Sequence, residues 1–97
     1  MNELKFEWDE NKNFINKIKH GISFEEAKSV FEDVEALVID DPDHSQYEER
    51  FIILGFSSSA NLLVVCHCYR FYDEVIRIIS ARKATKKESK QYRDALY

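Results

Sequence analysis

The stretch FIILGFSSSANLLVVCHCYRFYDEVIRIISA, residues 51–81, decides the fold. It holds three apolar runs rich in β-branched residues, Phe51 to Phe56, Leu62 to Arg70 and Val75 to Ala81. Each has the composition and length of a strand. Ser57-Ser58-Ser59-Ala60-Asn61 joins the first two and Phe71-Tyr72-Asp73-Glu74 the last two. Such short links permit only hairpins, because a parallel return needs a crossover of about a dozen residues. An antiparallel sheet is therefore the centre of the prediction.

Working outward, Ala36 to Asp40 is a further strand, stopped by Asp41-Pro42-Asp43, and residues 44–49 form a polar connection. At the other end Leu4, Phe6 and Trp8 alternate with Lys5 and Glu7, the period of a half-buried strand. Asp9 can cap a first helix, in which Phe14, Ile15 and Ile18 make an apolar stripe before Gly21, a left-handed C-terminal cap. Ser23-Phe24-Glu25-Glu26 reads as a capping box, with the hydroxyl on the Glu26 amide and the Glu26 carboxylate reaching back. It opens a second helix that buries Phe24, Ala27, Val30 and Phe31 and ends near Asp33. Thr85-Lys86-Lys87-Glu88 is another capping box, opening a last helix toward Leu96 with Tyr92 and Ala95 available for packing. The expected fold is α+β: an antiparallel sheet of four to five strands packed by two N-terminal helices and one C-terminal helix, in one domain over residues 1–97.

Ninety-seven residues, 44% apolar and 13% aromatic, suffice for one unaided core and exclude a multi-domain enzyme. The net charge of −4 argues against general nucleic-acid affinity, but the charges are unevenly spread. Residues 25–49 hold ten acids and one Lys (−9), whereas residues 75–93 hold seven bases and one acid (+6). A localised basic surface survives the acidic mean. The N-terminus lacks the pattern of a secretory signal and no apolar run has bilayer-spanning length, so a cytoplasmic, membrane-free protein is expected.

Cys66, His67 and Cys68 invite a metal reading. Side chains alternate along a strand, however, so the thiols share one face and His67 takes the other. Same-face neighbours lie about 7 Å apart, beyond disulfide reach. Two buried thiols, with no metal, is the expectation. No Gly-rich phosphate loop, paired-His helix or nucleophile elbow is present, so no cofactor is expected either.

What remains is Arg, Lys, His and Glu. Lys86 and Lys87 fall in a first helical turn, where the macrodipole disfavours cations; with Lys83 they suit an anionic partner, or they are a solvated face. Arg77 and Arg82 fall on opposite faces of a regular strand. Arg77 shares its face with Val75 and Ile79 and needs an acidic partner such as Glu48 or Glu49. Arg70 and Arg82 could instead converge on a phosphate at one sheet edge. His20, at a helix C-terminus, suits a general acid or a simple cap, and His44 in the polar connection is equally open. This inventory can cleave RNA without a metal: a base takes the 2′-hydroxyl proton, cations hold the phosphorane charge and an acid protonates the leaving 5′-oxygen.

Several strings fix a resemblance across almost the whole chain. They are Lys19-His20-Gly21-Ile22-Ser23-Phe24-Glu25-Glu26-Ala27 with Val30-Phe31, Asp43-His44-Ser45 with Glu48-Glu49-Arg50, Gly55 with Ser57, and Arg77-Ile78-Ile79-Ser80-Ala81-Arg82-Lys83-Ala84. In order and spacing they resemble the BrnT family of bacterial toxins. The resemblance implies a RelE-like fold and a ribonuclease toxin of a type II toxin–antitoxin pair. Its implied partners are RNA and a BrnA-type antitoxin, with operator DNA reached only through the antitoxin; a homodimer is compatible with the sequence. Carried over by position, the residues with useful chemistry are Lys19, His20, His44, Glu48, Glu49, Arg50, Arg70, Arg77, Arg82 and Lys83. The expected catalytic set is His20, Glu49, Arg70 and Arg82; the expected RNA-binding set is Lys19, Arg50, Arg77, Lys83, Lys86 and Lys87. One departure falls in the turn before the long strand, where many members carry Gly-Arg and this chain has Ala60-Asn61. The lost cation implies weaker substrate grip or a variable loop. The competing expectation is a non-catalytic binding module whose basic patch docks an acidic protein partner or operator DNA.

Overall fold

The two short links do close hairpins. A computed structural model describes residues 4–40 and 49–96 and contains β1 (Lys5–Glu7), α1 (Glu10–His20), α2 (Phe24–Lys28), a 3-10 turn (Ser29–Glu32), β2 (Leu37–Asp40), β3 (Phe51–Phe56), β4 (Leu62–Arg70), β5 (Val75–Lys83) and α3 (Lys86–Asp94). β3 and β4 pair antiparallel from Phe51↔His67 to Phe56↔Leu62, and β4 and β5 from Leu63↔Lys83 to Arg70↔Val75. The strand order is β1-β5-β4-β3-β2.

The sheet is mixed, which corrects the expectation of a purely antiparallel one. β1 runs parallel to β5, with Phe6 opposite Ile76 and Glu7 opposite Arg77. Strand direction against a partner some seventy residues away leaves no trace in a local pattern.

Facing residues of a sheet point to the same side, so the registers sort the two surfaces. On one side Ile53, Leu63, Val65, Ile78 and Ala81 meet Ile22, Phe24, Ala27 and Val30 from the α2 region, with Phe6, Trp8 and Phe31 at the margin. On the other, Leu54 and Val64 meet Tyr92 of α3. The Tyr92 hydroxyl donates to Asp33 Oδ2 at 2.8 Å, and the same oxygen accepts from the Phe56 amide at 2.8 Å. Asp33 thus ties α3 to the end of β3. Gly55 lies where a Cβ would come within 2.9 Å of the Ala36 Cβ and 3.1 Å of Val30 Cγ1, which explains its lack of a side chain.

Two helices depart from expectation. Ser23 Oγ accepts from the Glu26 amide at 3.0 Å, but Glu26 Oε2 accepts from Ser57 Oγ at 2.6 Å and Asn61 Nδ2 at 2.8 Å. Only half of that capping box forms, and its acid pins the β3–β4 turn. The Ser29 hydroxyl donates to the Glu26 carbonyl at 2.6 Å, competing with the helical ladder where α2 tightens into the 3-10 turn. The Thr85–Glu88 box forms in full.

α1 is capped as expected by Asp9 and by Gly21 at φ 73°. Its apolar stripe does not face the core: Phe14, Ile15 and Ile18 are 62%, 59% and 71% exposed. The buried residue is Asn16, whose Nδ2 donates to the carbonyls of Ile22 (2.9 Å) and Ala81 (2.8 Å) and whose Oδ1 accepts from the Ala81 amide (3.2 Å). β1 pairs only with Val75 to Arg77, so beyond it the Asn16 amide takes the place of a neighbouring strand on β5.

Candidate nucleic-acid interface

Between Cys66↔Ser80 and His67↔Ile78, β5 spends one surplus residue, Ile79. This bulge inverts the later side chains. Arg77 lies opposite Cys68 and Arg82 opposite Val64, on the same side of β4, so the expected opposite placement of the two arginines is corrected. Arg70 lies on this side as well, opposite Val75.

At one end of this surface two guanidiniums meet one carboxylate. Glu7 Oε2 is 2.7 Å from Arg77 Nη1 and 3.2 Å from Arg70 Nη1. Their side chains are 30%, 29% and 45% exposed respectively, so the cluster is open to a ligand and carries a net positive charge. The Arg70 guanidinium also sits 5.2 Å above the Phe71 ring, which fixes it further. The acidic partner expected for Arg77 was Glu48 or Glu49; the residue in place is Glu7. Period-two alternation read it as a solvent-side strand residue, and only the β1–β5 pairing gives it a role.

At the other end Arg82 makes a fork with Glu88, Nη1 to Oε1 at 2.8 Å and Nη2 to Oε2 at 2.9 Å. Glu88 Oε1 also accepts from the Thr85 amide at 2.9 Å. The Arg82 bonds, aided by the Thr85 amide, outweigh burial and hold the Glu88 carboxyl down to about 2, and Glu88 in turn raises the Arg82 pKa. Lys86 and Lys87 are exposed beside this fork at the start of α3. Lys83 pairs with Leu63 and therefore points to the opposite side from Arg82.

Arg70 and Arg82 do not converge. Arg77 and Arg82 face Cys68 and Val64, four steps apart on β4 and so about 13 Å at the strand rise, and Arg70 lies at the Arg77 end. The surface has two cationic poles rather than one pocket. Lys19 and His20 close α1 one turn beyond the Asn16 tether, and no hydrogen bond or ion pair among the described residues joins them to the three arginines. Glu49 lines a cavity of about 520 Å³ with Phe51, Tyr69 and Asp73, on the side of the sheet where Phe51 and Tyr69 meet His67. Arg50, half-buried before β3, has interactions of its own within the protein. His44 and Glu48 lie outside the described residues. Cys66 and Cys68 face away from His67 as expected, and among the described residues no three His, Cys, Asp or Glu side chains gather at metal-binding distances.

Residues 8–88 match the model of a family described as the ribonuclease toxin BrnT of type II toxin–antitoxin systems. The chain belongs to the BrnT family. Membership makes it a ribonuclease toxin of a toxin–antitoxin pair, with RNA as substrate and an antitoxin as partner. The fold agrees. The crystal structure of the Brucella abortus ribonuclease toxin BrnT, at 24% identity, aligns with a TM-score of 0.65 over 87% of this chain and all of that one. A search of curated proteins returned no match. Among the described residues of this BrnT-family chain no helix is long and apolar enough to cross a membrane.

Proposed function

We propose that this toxin cleaves RNA without a metal at the Glu7–Arg70–Arg77 cluster. The observation that supports the reading is the convergence of two partly exposed guanidiniums on a single carboxylate oxygen, since a carboxylate can accept a proton and guanidiniums bind phosphate. The Glu7 carboxylate takes the proton of the 2′-hydroxyl. The 2′-oxygen bonds to phosphorus and the 5′-oxygen departs with a proton from water, leaving a cyclic phosphate and a 5′-hydroxyl. Arg70 and Arg77 hold the charge that builds on the non-bridging oxygens. Arg82, Lys86 and Lys87 grip the RNA backbone at the second pole, and the antitoxin is of the BrnA type, through which alone operator DNA is engaged. Lys19, His20 and Glu49 stay outside this reaction centre.

The test is RNA cleavage by purified protein in excess chelator. Glu7→Gln should slow the chemical step by about 100- to 10,000-fold, and Arg77→Ala by about 100- to 1,000-fold. Lys86→Ala with Lys87→Ala should raise KM and leave kcat unchanged. Full activity of Glu7→Gln removes Glu7 from the mechanism, and activity abolished by chelator removes the metal-free scheme.

The Arg82–Glu88 fork favours a second reading, a non-catalytic binding module, since a guanidinium already clasped by a carboxylate has fewer donors for a transition state. Salt-sensitive RNA binding without cleavage at any pH is the outcome that selects it.

A further inference from the structure

α1 is built inside out. At 100° per residue Phe14, Ile15 and Ile18 fall within an arc of about 100° that faces solvent, while Asn16 on the opposite side is buried. Asn13 points inward too, its Oδ1 accepting from the Phe24 amide at 2.9 Å. Amide tethers therefore seat the helix, and its apolar face contributes nothing to the core. Single exposed apolar side chains are ordinary; three large ones side by side on one helix face are a contact surface. Lys12 flanks the stripe beyond Ile15 and Lys17 flanks it beyond Phe14, both exposed.

We propose that this face is the seat of the antitoxin, and that it takes an amphipathic segment presenting apolar side chains to Phe14, Ile15 and Ile18 and carboxylates to Lys12 and Lys17. The proposal rests on the toxin–antitoxin reading and adds to it the surface and the chemistry of the partner. A second copy of the chain fits poorly, because its own Lys12 and Lys17 would meet these lysines. RNA would answer the lysines and leave its charged backbone against the aliphatic stripe. An acidic amphipathic segment satisfies both parts of the face.

The experiment is calorimetric titration of the full chain with the antitoxin encoded by the adjoining reading frame, alongside RNA cleavage and sedimentation of the toxin alone. Ile15→Glu with Ile18→Glu should weaken binding by about 100-fold or more while cleavage and melting temperature are kept. Lys12→Glu with Lys17→Glu should weaken it by about 10-fold and flatten its salt dependence. Val34→Glu, at a residue 93% exposed elsewhere, should bind as the wild type does. Wild-type affinity in the Ile15/Ile18 variant overturns the proposal and leaves the toxin–antitoxin reading intact. Failure of the wild type to bind overturns both. Loss of a wild-type homodimer in that variant assigns the face to a second copy, and loss of RNA cleavage assigns it to RNA; either overturns the proposal.

Discussion

His67 is fully buried, edge-on to Phe31 and Tyr69 at ring distances of 4.9 Å and 5.5 Å. Its Nδ1 lies 3.2 Å from the Val65 carbonyl, and its Nε2 has no partner among the described residues. Burial pulls its pKa below 6.5 against the opposing pull of that carbonyl. The unfolded chain therefore binds the proton more readily, and stability falls as pH drops below 6.5. His67→Phe should stabilise the protein by about 1 kcal/mol at neutral pH by removing the orphaned nitrogen. It should also abolish the loss between pH 6.5 and 5, as read by thermal melts in two buffers. Ala60 is one of four non-glycine residues with positive φ among the described residues, at 61° in the turn where many relatives were expected to carry Gly. Ala60→Gly should raise stability by about 0.5–1 kcal/mol in urea titration. The neighbouring Asn61 is not merely a missing cation, since it holds Glu26. At this scale alternation correctly set the two cysteines against His67, because that rule needs only adjacent residues. It could not single out Glu7, whose partners are Arg70 and Arg77.

The elements read from the sequence are those with local causes. β3, β4 and the start of β5 follow from apolar runs and short links, and α3 from a capping box whose two bonds both form. Where a long-range partner competes, the reading fails: Glu26 leaves its own helix for Ser57 and Asn61, and α1 turns its polar side inward because Asn16 has β5 to bond. The Ile79 bulge has no signature in Arg77-Ile78-Ile79-Ser80-Ala81-Arg82, yet it decides that both arginines share a surface. Two substitutions test the packing around β3. Gly55→Ala should destabilise by about 2 kcal/mol or more, because the nearest atoms include the Ala36 Cβ, which cannot swing away. Asp33→Ala should cost about 2–3 kcal/mol by stripping the Phe56 amide and the Tyr92 hydroxyl of their acceptor. Burial, with the Asp33 bond behind it, pushes the Tyr92 hydroxyl up to about 12, so this tie persists through mildly alkaline buffers.

For the molecule as a whole, the net charge of −4 conceals an acidic segment, 25–49, and a basic one, 75–93. Glu88 draws stability from its ionised form, since its pKa lies far below the ordinary 4.5. That contribution is complete above pH 4.5 and is lost as pH falls toward 2. Glu88→Gln should lower the melting temperature at pH 7 and remove this stretch of the acid-melting curve, by an amount that solvent screening of the half-exposed fork keeps near about 1 kcal/mol. The proposed site was legible as a list of residue types and not as a place, because the meeting of Glu7, Arg70 and Arg77 depends on a parallel edge strand and a bulge. Asn16 carries a last consequence. At the margin of β5 beyond β1 its amide meets both backbone groups of Ala81, beneath α1. Truncating that one side chain would leave the Ala81 amide and carbonyl buried without their partner, so the docking of a whole helix onto the sheet hangs on a single asparagine.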